Sequence, residues 1–257
     1  MNQPDSRVTA GMIVIGDEIL SGRTKDVNIG AVADFCTDLG IDLTEVRVVS
    51  DEMEHIVEAV NALRARYTYV FTSGGIGPTH DDITADAIAR AFGVALPINP
   101  QARAMLEARW KQSGTEVNEA RLRMARIPEG ADLIVNSVSA APGFRIGNVH
   151  VMAGVPVIMR AMLEALTPTL KGSKKVMSAT VKAAVGEGTV GGPLAALQAE
   201  YPDVKMGSYP QMGHGWAITE LVLRSSDEAR LAEAAEKVRA MVAAAHEKAG
   251  IGPPDSE

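Results

Sequence analysis

The sequence of 257 residues is poor in several features that mark particular classes of protein. Its one cysteine, Cys36, allows no internal disulfide and no Cys-x-x-Cys pair, so we interpret it as a small buried residue on a helix. No apolar run reaches the ~20 residues that a membrane-spanning helix needs, and residues 1–7 lack the apolar core of a signal peptide. We therefore expect a cytoplasmic protein without a membrane partner.

Positive charge is also in short supply. The chain carries 25 Lys and Arg against 32 Asp and Glu, a net charge of −7 and a pI of about 5.3, which argues against a nucleic-acid partner. Zinc-ligand spacing, a Ser-His-Asp order and internal repeats are absent, and the glycine motifs are neither a Walker loop nor a G-x-G-x-x-G fingerprint. With 46% hydrophobic residues, the composition is that of a globular protein of one large or two smaller domains.

What is present is a glycine-rich stretch, residues 72–84, between a strand pattern and a helix pattern. Residues 67–71 are β-branched and aromatic and predict a strand, and the apolar residues after the stretch recur at helical spacing until Gly93. Three glycines occur at the turn, Gly74, Gly75 and Gly77. Because they have no Cβ, their bare backbone N–H groups can approach an anion. This context predicts a phosphate-binding turn, with an ordinary structural turn as the alternative.

Two adjacent carboxylates, Asp81 and Asp82, follow the glycines. They would repel a phosphate unless a divalent cation or a buried hydrogen-bond network lay between them, and hard cations prefer such oxygen ligands. The turn therefore hints at a metal-bridged phosphate. The alternative is that one of them is the N-cap of the helix that follows, where an acidic first turn suits the helix dipole.

A second acidic pair, Asp17 and Glu18, follows Gly16 at the end of a predicted strand over residues 8–15. If this strand runs parallel to residues 67–71, both acidic pairs lie at the same edge of the sheet, where ligands of open α/β sheets bind. A solvated turn is the alternative, because surface acids after a strand are common.

Two further groups of charged residues have open interpretations. Asp51 precedes Glu54 at capping-box spacing, which predicts a helix cap. Arg121, Arg123 and Arg126 form a basic patch that is either a solvated face or a set of phosphate-binding groups.

The remaining pattern predicts two domains. Strands and helices alternate through residues 7–170, which predicts an α/β domain with a mostly parallel sheet, and helices are expected over residues 26–39, 101–112, 116–125 and 156–166. A charged, flexible segment at residues 171–175 follows. Residues 176–250 then read β-α-β-β-α and predict a small α+β domain, with a glycine-rich loop at residues 210–215 and a disordered tail from Gly252.

Separated motifs resemble those of a known family. The run of residues 72–84 resembles the signature of the molybdopterin-binding (MoaB/Mog-like) domain, and residues 16–22 with Asp26 and Asn28 are similar to the CinA family (competence/damage-inducible protein A). Residues 141–144 and 154–156 also match, while the chain departs from the pattern at Ala153 and at residues 157–158. The chain stops before the deamidase domain of longer CinA proteins, so the resemblance does not imply nicotinamide-nucleotide deamidation.

The resemblance implies a three-layer molybdopterin-binding-like domain and a ligand pocket at its strand ends. It implies pocket residues Gly16, Asp17, Glu18, Asn28, Ser73, Gly74, Gly75, Gly77, Pro78, Thr79, Thr84, Pro142, Gly143, Gly154 and Pro156. Among the acids, Asp82, Asp81 and Asp51 are the catalytic candidates, and Asp17, Glu18, Asp81 and Asp82 are the candidate ligands of Mg²⁺, Mn²⁺ or Co²⁺. Asp51 resembles an acid lining the pocket of molybdopterin-binding proteins, which implies a functional role as the alternative to a helix cap. We expect backbone donors from Gly74, Gly75 and Gly77, and hydroxyls from Ser73 and Thr79, to hold the phosphates.

Three functions are compatible with this reading. CinA resemblance implies a metal-dependent pyrophosphatase acting on a nucleotide such as ADP-ribose or FAD. The wider domain resemblance implies binding or transfer of molybdopterin in molybdenum-cofactor synthesis. A nucleotide-binding module without turnover follows if the acids are structural. In each case the partner is a nucleotide or pterin phosphate, and the relatives imply a homo-oligomer.

Overall fold

The computed structural model describes residues 7–213 and 216–250. It divides into two compact units, the first ending at Ser173 and the second beginning at Lys174. Within the described residues, no helix has both the length and the apolar character needed to cross a bilayer.

The first unit is built on one six-stranded sheet. Its strands are β1 (Thr9–Ile15), β2 (Asp42–Val49), β3 (Tyr69–Ser73), β4 (Asp132–Ile134), β5 (Gly143–Ile146) and β6 (Val149–Met152), in the spatial order β2-β1-β3-β6-β5-β4. The neighbours from β2 to β6 pair parallel, whereas β5 pairs antiparallel with both β6 and β4. The predicted mostly parallel sheet is thus confirmed.

Seven α-helices accompany this sheet within the described part of the first unit. They are α1 (Asp17–Leu20), α2 (Asn28–Asp38), α3 (Met53–Arg66), α4 (Thr84–Phe92), α5 (Pro100–Ser113), α6 (Glu119–Leu122) and α7 (Pro156–Leu166), with 3-10 turns at Arg123–Ala125 and Thr167–Thr169. The single helix predicted over residues 116–125 is wrong in extent. Asn118 caps α6 by accepting a hydrogen bond from Arg121 N–H, so the helix starts late and then tightens into the 3-10 turn.

Alternate residues of β1 are buried on opposite faces of the sheet. Ile13 and Ile15 join a core with α3 and α4, whereas Met12 and Val14 join a second core with α2 and α7. A sheet buried on both faces gives the three layers that were predicted. Cys36 lies in the second core, where burial raises the pKa of its thiol to about 12, so it is an inert core residue as expected.

The second unit is a small α+β structure. It comprises β7 (Met177–Ala183), α8 (Glu187–Glu200), β8 (Lys205–Gly213), β9 (Trp216–Ser225) and α9 (Glu228–Ala249), and its antiparallel sheet has the order β7-β9-β8. The predicted element order is confirmed. The loop predicted at residues 210–215 is wrong for residues 210–213, which continue β8 and pair with β9 as far as Trp216. The remaining loop residues, including His214, and the tail from Gly252 lie outside the described residues.

Candidate functional site

The ends of three parallel strands bring the sequence motifs to one edge of the first sheet. Gly16 follows β1, Gly74 follows β3 and Gly154 comes two residues after β6. An open cleft of about 570 Å³ lies there. The predicted pocket residues that line it are Glu18, Gly74, Gly75, Gly77, Pro78, Asp82, Gly154 and Pro156. The tertiary structure thus joins the acidic motif after β1 to the glycine turn.

The glycine turn is held in place by hydrogen bonds from Thr84, the first residue of α4. Thr84 N–H donates to Gly75 O and Thr84 Oγ1 donates to Gly74 O, both at 3.0 Å. Gly75 has φ 66°, and a Cβ there would lie 2.1 Å from Thr84 Oγ1, so this turn requires glycine. Thr84 is fully buried and supports the turn from inside the protein.

The backbone donors of this turn differ from the expected set. Gly74 N–H already donates to Met152 O at 3.2 Å, so the prediction that it offers a free donor is wrong. In the described part of the chain, the N–H groups of Gly75, Ile76 and Gly77 have no hydrogen-bond partner. Successive unpaired N–H groups in a glycine turn attract anions. The turn therefore retains an anion-binding character.

Asp82 is not a helix cap. The N-cap of α4 is Ile83 and no side chain makes a capping hydrogen bond there, so the N-cap hypothesis for Asp81 and Asp82 is wrong. Instead, Asp82 Oδ2 accepts hydrogen bonds from Thr79 N–H at 2.8 Å and from the Thr79 hydroxyl. A Cβ at Gly77 would lie 2.5 Å from the same oxygen, so Gly77 makes room for this carboxylate beside the turn. Asp81 is exposed, with Oδ1 4.0 Å from His80 Nδ1, and it does not line the cleft.

Asn28 connects two segments of the site, the end of β3 at Ser73 and the segment after β6 at Gly154. Its side chain is buried, and Nδ2 donates to Ser73 Oγ and to Gly154 O, both at 2.8 Å. Ser73 is also buried and its hydroxyl bonds to Ala153 O at 3.5 Å. The hydroxyls expected to hold phosphate, those of Ser73 and Thr79, are thus already engaged within the protein. Asn28 and Ser73 act as structural clamps.

Replacement of Asn28 by leucine tests this clamp. Leucine has a similar volume but leaves Gly154 O and Ser73 Oγ without their donor, and a buried group that loses its partner costs about 1–3 kcal/mol. We expect the free energy of unfolding, measured by urea denaturation, to fall by about 2 kcal/mol. The exposed Asn61→Leu on α3 is the control and should leave it within about 0.5 kcal/mol. Equal stability of Asn28→Leu and the unmodified protein would contradict the clamp.

Asp51 supports the acidic loop after β1. Its Oδ2 accepts a hydrogen bond from Asp17 N–H at 2.9 Å, while the N-cap of α3 is Glu52, so the capping hypothesis for Asp51 is wrong. Burial raises the pKa of the Asp51 carboxyl, and the negative charges of Asp17, Glu18 and Asp81 raise it further against the lowering effect of that hydrogen bond. Four carboxylates therefore share one electrostatic environment, although Asp51, Asp17 and Asp81 do not line the cleft itself.

Replacement of Asp51 by asparagine should raise the melting temperature slightly at pH 7. Asparagine Oδ1 can still accept from Asp17 N–H, and the substitution removes a charge whose folded-state pKa is raised. That charge is destabilising above the folded pKa, so the difference between the two proteins should shrink as the pH falls toward about 4. Thermal melts at pH 7 and pH 4 measure this. A gap that widens in acid would contradict the assigned electrostatics.

A loop that was not singled out in the sequence also lines the cleft. Asn136 is buried, its Oδ1 accepts from the N–H groups of Val138 and Ser139 at 3.0 and 2.7 Å, and its Nδ2 donates to Ala141 O at 2.8 Å. Ser139 lines the cleft, and its buried hydroxyl has no partner in the described part of the chain. An asparagine followed by serine is a signal for such a turn and could have indicated it.

The other lining residues missed by sequence reasoning are mainly apolar. They are Ile76, Met124, Ala141, Ala153, Val155 and Ile158. Of the matched residues 142–143, Pro142 borders a second, much smaller cavity, and Gly143 allows close approach of Val151 O, which would lie 2.2 Å from a Cβ. Gly16 N–H donates to Val49 O, at the end of β2, at 3.1 Å, so its backbone holds the end of β1 against β2.

The comparisons with known proteins match the two units of the chain to two different families. Residues 11–172 match the family described as "Probable molybdopterin binding domain", and residues 175–248 match "FAD synthase, middle domain". A CinA-like protein of Desulfosudis oleivorans is 34% identical over 209 residues, 77% of this chain but 51% of that protein, so the chain spans about half of its length.

Two further relatives are matched over nearly their whole length. A protein of Aeropyrum pernix is 35% identical over 250 residues, 90% of this chain and 92% of that protein. The solved structure of the protein CinA, of unknown function, from Thermoplasma acidophilum is 34% identical with a TM-score of 0.59, and it covers 63% of this chain and 98% of that one. The likeness in sequence and in structure thus falls on the same family.

Proposed function

This chain belongs to the molybdopterin-binding domain family and is CinA-like, and from that premise we propose that it hydrolyses the diphosphate bond of a nucleotide with a divalent cation. The observation that carries the proposal is the composition of the cleft. The glycine turn with its unpaired N–H groups and the carboxylates of Glu18 and Asp82 line the same space. One group of atoms suits phosphate oxygens, and the other suits a cation or an attacking water.

The carboxylates fit a cation that shares its ligands with a substrate. No group of three or more His, Cys, Asp or Glu that could hold an ion occurs within the described residues. Mg²⁺ does not require such a cage, because it usually binds one or two carboxylates together with substrate phosphates and water. Glu18 and Asp82 are the cleft carboxylates, with Asp17 and Asp81 as neighbours in the same two motifs. A bound divalent cation would neutralise charge on the phosphoryl groups.

The residues of the chain supply the other requirements of the reaction. The N–H groups of Gly75, Ile76 and Gly77 would hold phosphate oxygens, and Asp82, fixed by Thr79, would orient the attacking water. The apolar part of the cleft, including Met124, Val155 and Ile158, would exclude bulk water and receive a flat ring. The match of the second unit to a domain named for FAD synthase makes FAD, as well as ADP-ribose, a substrate to test.

Binding or transfer of molybdopterin is the second candidate, favoured by the family match of residues 11–172. A nucleotide-binding module without turnover is the third. We separate them by incubating purified protein with ADP-ribose or FAD and Mg²⁺, Mn²⁺ or Co²⁺, assaying for AMP, and testing for copurified pterin. Turnover without pterin selects the pyrophosphatase, pterin without turnover selects the cofactor role, and tight nucleotide binding alone selects the third function.

Assembly into a homo-oligomer is part of the proposal, because the family resemblance implies it, and closed rotational symmetry is the usual form of such assemblies. Light scattering at micromolar concentration tests it. A single species at the chain mass of 27.1 kDa would contradict it.

A further inference from the structure

Arg123 lies behind the glycine turn and carries a positive charge that no carboxylate balances. Its Nη2 donates to the backbone oxygen of Asp82 at 3.2 Å, and its Nε is buried without a partner in the described part of the chain. No Asp or Glu of the described residues forms an ion pair with it. A half-buried guanidinium of this kind retains a full positive charge in surroundings of reduced dielectric.

The neighbouring Arg126 differs from Arg123 in this respect. Its Nη1 and Nη2 bond both oxygens of Asp86, in the first turn of α4, at 2.8 and 2.7 Å. This bidentate pair neutralises Arg126 and fixes the helix. Of these two arginines, Arg123 is the one that contributes net positive potential to the turn.

Arg123 does not reach the main cleft. It borders a separate cavity of about 10 Å³, together with Gly75, Gly77 and Asp82. That volume holds about one water molecule and cannot admit a phosphate. The turn therefore separates Arg123 from any ligand, and the guanidinium acts through the backbone of Asp82 and through its electric field.

We infer that Arg123 is a positioning residue that holds the Asp82 segment and gives the glycine turn its preference for phosphate-bearing ligands over their neutral counterparts. The inference rests on the proposed phosphate binding in the cleft. Its physical basis is that a fixed charge beneath a row of N–H donors attracts an anion without occupying the space that the ligand needs. A neutral ligand of the same ring chemistry gains nothing from that charge.

Binding of AMP, ADP and adenosine to the full chain, measured by calorimetry in EDTA at low salt, tests this inference. EDTA removes divalent cations that would mask the charge. Arg123→Gln should weaken AMP and ADP binding by a factor on the order of 10 or more and leave adenosine binding unchanged, and it should reduce the salt dependence of ADP affinity. Arg123→Lys, which keeps the charge, should restore most of the affinity.

Arg121→Gln is the matched control, because Arg121 lies on the same segment, bonds to Glu116 O and borders neither cavity. It should bind all three ligands like the unmodified protein. If Arg123→Gln weakens adenosine as much as ADP, or weakens neither, the inference is wrong while phosphate binding stands. If the unmodified protein binds ADP better than adenosine only when Mg²⁺ is restored, the inference is wrong while phosphate binding stands. If it binds ADP no better than adenosine both in EDTA and with Mg²⁺ restored, both the inference and the proposed function are overturned.

Discussion

Replacement of Asp82 by asparagine is expected to lower kcat for ADP-ribose or FAD hydrolysis by a factor on the order of 10² or more, the usual scale for a positioned acid/base or electrostatic group. Asp82 lines the cleft beside the unpaired N–H groups, and Thr79 fixes its carboxylate through two hydrogen bonds. Asparagine preserves the shape and one acceptor oxygen but removes the negative charge. The substitution should therefore lower kcat without changing the fold.

Steady-state kinetics and thermal melts on the same samples separate the two effects. The exposed Asp34→Asn on α2 makes the same chemical change away from the cleft and should keep kcat and the melting temperature. Thr79→Val should lower kcat less than Asp82→Asn, because it loosens the carboxylate without removing it. Near-normal turnover by Asp82→Asn with a lowered melting temperature would assign Asp82 a purely structural role in the turn.

Acid should destabilise the first unit through His150, a residue that no sequence motif indicated. His150 lies on β6, is 1% exposed, and its ring centroid is 5.3 Å from that of Phe71 and 5.8 Å from that of Tyr69. Burial lowers the pKa of its imidazole from 6.5 to about 4, and the charge of Arg145 on the adjacent strand makes a smaller contribution in the same direction. The ring is therefore neutral in the folded protein at pH 7.

The direction of the pH effect follows from the two pKa values. Between about pH 6.5 and 4 the unfolded chain binds a proton at His150 that the folded chain does not, so stability falls as the pH falls through this window. The difference between the ordinary pKa of 6.5 and the folded-state pKa of about 4 corresponds to about 3 kcal/mol. Urea denaturation at intervals from pH 7 to pH 4 measures it.

His150→Leu should remove this contribution, because leucine packs among the same aromatic rings and does not titrate. The pH dependence of its unfolding free energy should be shallower than that of the unmodified protein by about 3 kcal/mol over the window. His80→Leu is the control, since the His80 side chain is 99% exposed, and it should keep the original pH dependence. An unchanged slope in His150→Leu would show that the imidazole is not held neutral by burial.

The strands, helices and turn of the first unit were largely predictable because their signals are local. The passage from β3 through Gly74, Gly75 and Gly77 to α4 was read from the periodicity of apolar residues and from the glycines, and α4 ends at Gly93 as expected. The shortened α6 and the extended β8 were missed. In those places a cap at Asn118 and cross-strand pairing with β9 decided the bounds.

The partners of the polar side chains could not be predicted in the same way. Nothing within a few residues of Asp82, Asp51 or Asn28 distinguishes a helix cap from a carboxylate beside a cleft or from a buried clamp. Their roles depend on Thr79, Asp17 and Gly154, and two of these three contacts cross 34 and 126 residues of chain. His150 escaped notice because its burial beside Phe71 and Tyr69 of the neighbouring strand, rather than any motif, makes it distinctive.

The sequence by itself determined the alternation of elements, the position of the glycine turn and the membership of the CinA-like family, because periodicity, turn chemistry and motif spacing are properties of short segments. The tertiary structure alone decided that Glu18 and Asp82 line one cleft, that Asn28 clamps its walls and that Arg123 lies unbalanced behind the turn. The physical reason is that parallel strands carry residues far apart in the chain to one sheet edge, where burial and charge are set by neighbours that no local pattern contains.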